Sequence, residues 1–194
     1  FSAYLSPKLV EDMVQAGEEP QLGGVNEEVT AFFSDVESFS TFSEQLPADR
    51  LVALMNEYLT AMTNPLMDSG CYVDKYIGDA IVGIYNAPVR IENHAWKACV
   101  TSQHLQKSLE QLRAKWKTEE DRWPPVVAKM RMRIGLNTGL ATVGNMGSER
   151  RFNYTMMGDT VNLAARCESA AKYYGVYTLV TGSTRHDAER VADS

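Results

Sequence analysis

The sequence predicts an α+β domain, a mixed sheet flanked by helices. Three observations carry this. Short apolar runs rich in Val, Ile, Phe and Tyr recur at residues 29–33, 72–76, 80–85, 130–134, 152–157 and 177–180. Between them lie stretches with helical apolar spacing. The cleanest is 48–69, where Leu51, Leu54, Met55, Tyr58, Leu59, Met62 and Leu66 form one face. Third, Gly78-Asp79 joins two alternating apolar runs, which is a hairpin signal. Strands that alternate with helices and also form tight hairpins give a mixed sheet, with its helices expected on one face.

The chain in order bears this out element by element. Residues 1–19 are amphipathic, with Ser6-Pro7 at a helix start and Leu9, Val10, Met13 and Val14 at helical spacing. Gln21 to Asn26, with Gly23-Gly24, breaks the chain. Residues 1–26 are therefore expected to be a connector from an upstream module, and 27–194 the domain proper. Val29 to Phe33 is a strand that runs into the polar Ser34-Asp35-Val36-Glu37. Phe39, Phe42 and Leu46 mark a short helix. The long helix of 48–69 follows, with Pro65 near its end and Gly70 as its stop.

The hairpin 72–85 comes next, and Asn86-Ala87-Pro88 breaks it off. Ile91 to Lys117 reads as a helix with Ala95, Ala98, Cys99, Leu105, Leu109 and Leu112 facing inward. His94 and His104 are ten residues apart, without zinc-ligand spacing around them, and are read as ordinary. Met130 to Met146 alternates, with a turn expected at Asn137-Thr138-Gly139. Residues 147–151 form an exposed turn carrying Arg150 and Arg151, and 152–157 is a further strand. Asp159 is the expected N-cap of a helix from Val161 to Tyr173. A strand at 177–180 and a weak helix at 183–191 end the chain.

Composition sets limits on function. At 194 residues the chain is long enough for one domain with a core. The net charge is −6 and the basic residues are not massed in one block, which argues against a nucleic-acid binder but not against a nucleotide that brings its own metal. Cys71, Cys99 and Cys167 are odd in number and form no CxxC pair, so reduced, buried thiols in a cytosolic compartment are expected. No apolar run approaches membrane-spanning length and no signal peptide is visible, so a cytoplasmic domain is expected, whether or not the full-length protein is membrane-attached. The chain opens on Phe1, as a piece of something longer would.

The chemistry concentrates at two strand tips. Asp35 closes the first strand and Asp79 sits at the tip of the hairpin. An Asp at a strand end is more often a turn residue than a ligand. Two of them brought face to face make a trap for hard divalent cations, which prefer oxygen ligands. A pair of such cations suits phosphoryl or nucleotidyl transfer. A third stretch fits the same chemistry: Asn162 and Arg166, four residues apart, project from one face of their helix.

Three motifs in order, FFSDVESF with Asp35, DKYIGDA with Lys75 and Asp79, and YTMMGDTVNLAAR with Thr155, Asn162 and Arg166, resemble the catalytic domain of class III nucleotidyl cyclases, the adenylyl and guanylyl cyclase family. The resemblance runs from about Glu28 to Val180. It implies a ferredoxin-like mixed sheet and a head-to-tail homodimer with active sites shared between chains. By matched position, Asp35 and Asp79, with the Val36 carbonyl, would bind two divalent metal ions, Mg²⁺ or Mn²⁺. Lys75 and Thr155 would contact the base, Asn162 the ribose, and Arg166 the reacting phosphate.

A Lys donates to N1 of adenine and a Thr hydroxyl accepts from its 6-amino group, so ATP is the expected substrate and cyclic AMP with pyrophosphate the products. Thr at position 155 resembles the subgroup of bacterial type in which some members respond to bicarbonate. The family usually has a further triphosphate-binding lysine on a later strand. No Lys follows Lys172, which reads as a C-terminal truncation. A guanylyl cyclase and an inactive cyclase-like dimerisation domain are the alternatives. Lys75 and Thr155 disfavour the first, and the full set of Asp35, Asp79, Asn162 and Arg166 disfavours the second.

Overall fold

The structure, a computed structural model, describes residues 22–192. The helix expected within 1–19 lies outside them. The order is β1 (Gly23–Val36), α1 (Phe39–Ser43), α2 (Ala48–Asp68), β2 (Tyr72–Ile77), β3 (Ala80–Tyr85), α3 (His94–Thr118), a 3₁₀ turn (Val127–Lys129), β4 (Met132–Ser148), β5 (Arg151–Met157), α4 (Asp159–Tyr174), β6 (Thr178–Val180) and α5 (Gly182–Ala192). The sheet runs β2-β3-β1-β4-β5, all antiparallel, and β6 adds to β4 in parallel. A mixed sheet flanked by helices is thus present.

Strand parity sorts the two faces of the sheet. Phe32 and Val36 of β1, with Met132, Ile134 and Leu136 of β4, face α2 and α3 in one core cluster. Leu54, Tyr58, Met62 and Leu66 of α2 are fully buried there. Burial of such a side chain contributes about 1.5–3 kcal/mol. Val29 and Ala31 of β1, with Ala141 and Val143 of β4, face the other way, onto Ala164 of α4. The expectation of helices on one face is therefore corrected: α4 covers the opposite face. Gly135 explains how closely it does so. A Cβ at Gly135 would lie 2.2 Å from the Glu168 nitrogen of α4, so only glycine allows this seat.

Three more expectations change. Residues 23–26 do not break the chain but open β1, pairing Gly23 with Asn145 and Asn26 with Thr142. The turn expected at Asn137-Thr138-Gly139 is the middle of β4, where these residues pair with Ala31, Thr30 and Val29. Their turn-like chemistry is spent on side-chain bonds instead. Asn137 Nδ2 donates to the Thr160 carbonyl at 2.8 Å, and its Oδ1 accepts from Thr181 Oγ1 at 2.7 Å. Finally, Gly158 takes the cap position of α4 (φ 129°), and Asp159 sits inside the first turn without capping it.

The sheet also curls. Gly24 pairs with Gly144 (φ 156°), where a Cβ would lie 2.0 Å from the Gly23 carbonyl. Two facing glycines permit a tight bend of the strand pair. Beyond that bend β4 carries β5 over the second face. There β5 meets β2, the far edge of the same sheet: the Tyr72 and Tyr154 rings pack edge to face with centroids 5.5 Å apart.

Candidate active site

The hairpin closes at Ile77 and Ala80, with Gly78 (φ 63°) and Asp79 as its two-residue tip. Because β3 lies beside β1, the tip reaches the end of β1. The Val36 N–H donates to Asp79 Oδ2 at 2.8 Å, and the Asp79 side chain is buried. The Asp35 carboxylate stands within hydrogen-bonding reach of it. Burial first, and then Asp35, push the Asp79 carboxyl up to about 7, against the pull of the Val36 N–H. The Tyr58 hydroxyl lies fully buried near the pair with no partner among the described residues. Burial and then the charges of Asp79 and Asp35 raise it above the usual phenol range.

This pair fits a hard divalent cation. The raised proton affinity of Asp79 is relieved when a cation replaces the proton, and both carboxylates offer oxygen. Among the described residues no group of three or more His, Cys, Asp or Glu side chains is arranged to hold a metal. The donors brought together here are two carboxylates, which leaves room for phosphate and water oxygens, the common arrangement for Mg²⁺.

Behind the pair sits a network that the sequence reading missed. Asp35 pairs in register with Arg133 on β4. Arg133 bridges Glu37 and Glu168, each at 3.2 Å. Burial and then Asp35 raise the Glu168 carboxyl, while Arg133 and Ser169 pull it back. Glu168 belongs to α4, so this ion-pair network ties the helix of Asn162 and Arg166 to the end of β1. The trace of it in the sequence is that Arg133, like Arg131, interrupts the apolar run that leads into β4.

Lys75 and Thr155 come together by the curl of the sheet, although β2 and β5 are opposite edges. They meet at Asp74. A bulge between Val73 and Lys75 leaves Asp74 outside the strand ladder. Thr155 Oγ1 donates to Asp74 Oδ2 at 2.6 Å, and Lys75 Nζ lies 3.7 Å from the same oxygen. Asn162 and Arg166 stand exposed on α4. Among the described residues no hydrogen bond or ion pair joins their side chains to either cluster. The structure therefore assembles Asp35, Val36 and Asp79 in one place and Lys75 with Thr155 in another, and leaves Asn162 and Arg166 facing outward.

His94, read as ordinary, makes ordinary contacts: its Nδ1 lies 2.8 Å from Thr30 Oγ1 and its Nε2 3.5 Å from Glu28. All three cysteines are free. Among the described residues no helix is long and apolar enough to cross a membrane.

Comparison with known proteins agrees with this architecture. The family model of the adenylate and guanylate cyclase catalytic domain matches residues 24–186. Adenylate cyclase 1 of Rhizobium meliloti is 31% identical over 183 residues, 94% of this chain and 27% of that protein. The chain thus spans about a quarter of the length of that relative. Among solved structures, the adenylyl cyclase CyaB from P. aeruginosa superposes with a TM-score of 0.77 at 31% identity, covering 88% of this chain and 84% of that one. The guanylyl cyclase Cya2 superposes with a TM-score of 0.76 at 29% identity, covering 86% and 81%.

Proposed function

This chain belongs to the family of adenylate and guanylate cyclase catalytic domains, and on that premise we propose that it converts ATP to 3′,5′-cyclic AMP and pyrophosphate at sites shared between two copies. The observation that carries the choice of ATP is the meeting of Lys75 and Thr155 around Asp74. Lys75 offers donors to N1 of adenine, and Thr155 offers an acceptor to the 6-amino group. Guanine presents N1–H and a 6-carbonyl there, which opposes both. Adenylyl and guanylyl cyclases superpose on this chain almost equally, so side chains and not the fold choose the base.

In the reaction the ribose 3′ oxygen attacks the α-phosphorus. A new P–O bond forms, the bond to pyrophosphate breaks, and the 3′ hydroxyl gives up its proton. Asp35, Asp79 and the Val36 carbonyl would hold two divalent ions, Mg²⁺ or Mn²⁺, which supply a lower pKa for the 3′ hydroxyl and neutralise triphosphate charge. Asn162 orients the ribose. Arg166 presents a planar, permanently charged guanidinium to the phosphate oxygens as charge spreads over them. Lys75 and Thr155 fix the base, so that most of the gain comes from position and electrostatics.

What each chain leaves exposed supports sharing between copies. Asn162 and Arg166 are exposed on α4, and among the described residues no hydrogen bond or ion pair joins them to the carboxylate pair. Leu163 beside them on α4, Met157 just before the helix and Leu140, whose carbonyl accepts from Thr160 Oγ1, are exposed apolar side chains, between 43% and 68% accessible. An apolar patch flanked by unpartnered functional groups suits a second copy. The test is turnover of ATP against GTP with Mg²⁺ and with Mn²⁺ over a range of protein concentrations. Cyclic AMP with specific activity that rises with concentration is expected. Cyclic GMP as the main product contradicts the base assignment, and concentration-independent activity contradicts the shared site.

A further inference from the structure

Asp74 has no part in the roles above, yet it is the residue through which the two base-facing groups meet. We propose that Asp74 sets the base specificity of this site by holding the Thr155 hydroxyl as a hydrogen-bond acceptor toward the base, so that a 6-aminopurine is favoured over a 6-oxopurine. This rests on the assignment of Lys75 and Thr155 to the base.

The Asp74 side chain is 1% exposed, so it acts through its neighbours and not by touching the base. An ionised carboxylate only accepts hydrogen bonds. Thr155 Oγ1 lies 2.6 Å from Asp74 Oδ2, so the single hydroxyl proton is committed to that bond. The lone pairs that remain on Thr155 can only accept. Adenine presents its 6-amino donor to them, whereas a 6-oxo group would set two acceptors face to face. Lys75, 3.7 Å from the same carboxylate oxygen, favours the ionised state of Asp74 and is itself held as a cationic donor. Burial pushes the Asp74 carboxyl up, and Thr155 and Lys75 both oppose that push. One carboxylate thus fixes an acceptor and a donor in the order that adenine requires.

Its cost argues against a merely structural role. Asp74 Oδ1 is buried with no partner among the described residues. Leaving a buried polar atom unpaired is unfavourable, and an apolar side chain of similar size would avoid it. The bulge that removes Asp74 from the ladder is a further local departure from regular pairing.

The experiment measures kcat/KM for ATP and for inosine triphosphate, which differ at N1 and at position 6, in the full chain and in four variants. In Asp74→Asn the amide can donate to Thr155, freeing its hydroxyl proton for a 6-oxo group. The ATP preference is expected to fall about tenfold or more. Asp74→Leu is the second variant. It removes the unpaired carboxylate, so it is expected to melt no lower than the parent and still to lose selectivity. Adding Asp74→Asn to Thr155→Val is expected to change the ratio no further, because the effect passes through that hydroxyl. An unchanged ATP preference in both Asp74 variants overturns the proposal while the parent's cyclic AMP production keeps the adenylyl cyclase reading. Independent effects of Asp74→Asn and Thr155→Val overturn it as well. A parent that prefers inosine triphosphate overturns both.

Discussion

At the acidic end of this molecule the functional groups are already held. Asp79 is buried, its Oδ2 accepts from Val36 N–H at 2.8 Å, and Asp35 stands against it. On α4 the reverse holds: Asn162 and Arg166 are exposed, and their side chains make no hydrogen bond or ion pair among the described residues. The two regions also differ in energetics. The carboxylate pair is a local cost, with Asp79 pushed up by burial and by its neighbour, and a cation relieves that cost. Arg166 stands in water and costs the fold nothing. On the proposed reading, one end is preorganised for a metal, and the other is completed by the metal-bound triphosphate of a second copy.

The largest test of this contrast is equal loss of function with unequal effects on stability. Asp79→Asn and Arg166→Ala are each expected to lower turnover by about a thousandfold. In thermal melts without metal at pH 8, Asp79→Asn should melt higher than the parent, because the amide still accepts from Val36 N–H without the second negative charge. Arg166→Ala should melt like the parent. A large drop in melting temperature for Arg166→Ala would mean that it is bound within the chain after all.

Next comes pH. Because the folded-state carboxyl of Asp79 is raised from 3.8 to about 7, the folded protein holds more protons than the unfolded chain between those values. Stability of the metal-free protein should therefore be greatest below about pH 4 as far as this group is concerned, and should fall as pH rises through neutrality. Metal binding competes with that proton. Apparent Mg²⁺ affinity, read by the metal-induced shift in melting temperature, should rise from pH 6 to pH 8. Asp79→Asn should flatten both trends, while Arg166→Ala should leave both unchanged.

The smallest effect tests the link between the two regions. Gly135→Ala places a methyl 2.2 Å from the Glu168 nitrogen and 2.4 Å from the Ala164 carbonyl, so α4 must shift. A loss of about 1–3 kcal/mol in chemical denaturation is expected. The shift strains the Arg133–Glu168 contact and moves Arg166, so kcat should fall while metal affinity at Asp35 and Asp79 stays near that of the parent.

What was legible in the sequence follows the range of the interactions. Asp35 and Asp79 could be read because each lies where an apolar strand meets a polar turn, a local pattern. Helical spacing puts Asn162 and Arg166 on one face, and the family resemblance is what singles them out for the ribose and phosphate. The turn expected at Asn137-Thr138-Gly139 is absent because Asn137 bonds to α4 and the segment before α5, and Thr138 to Thr30 and Thr184, partners that only the folded chain brings near. Placement of α4 on the second face was hidden in Gly135, where the absence of a side chain is the feature. Arg133, Glu37 and Glu168 come from three elements, and no spacing connects them. Asp74 stood in plain view beside Lys75. Its partner Thr155 is 81 positions further on, across a sheet whose edges meet only because it curls.

Mixing the two inactive variants tests the account most directly. If one copy supplies Asp35 and Asp79 and the other supplies Arg166, a heterodimer of Asp79→Asn with Arg166→Ala has one intact site and one doubly damaged site. Equal amounts of the two variants, allowed to exchange, should recover about a quarter of the parent's specific activity, since half of random dimers are mixed and each has one working site of two. Activity that stays at the level of the separate variants, under conditions where mixed dimers are shown to form, would contradict the shared site.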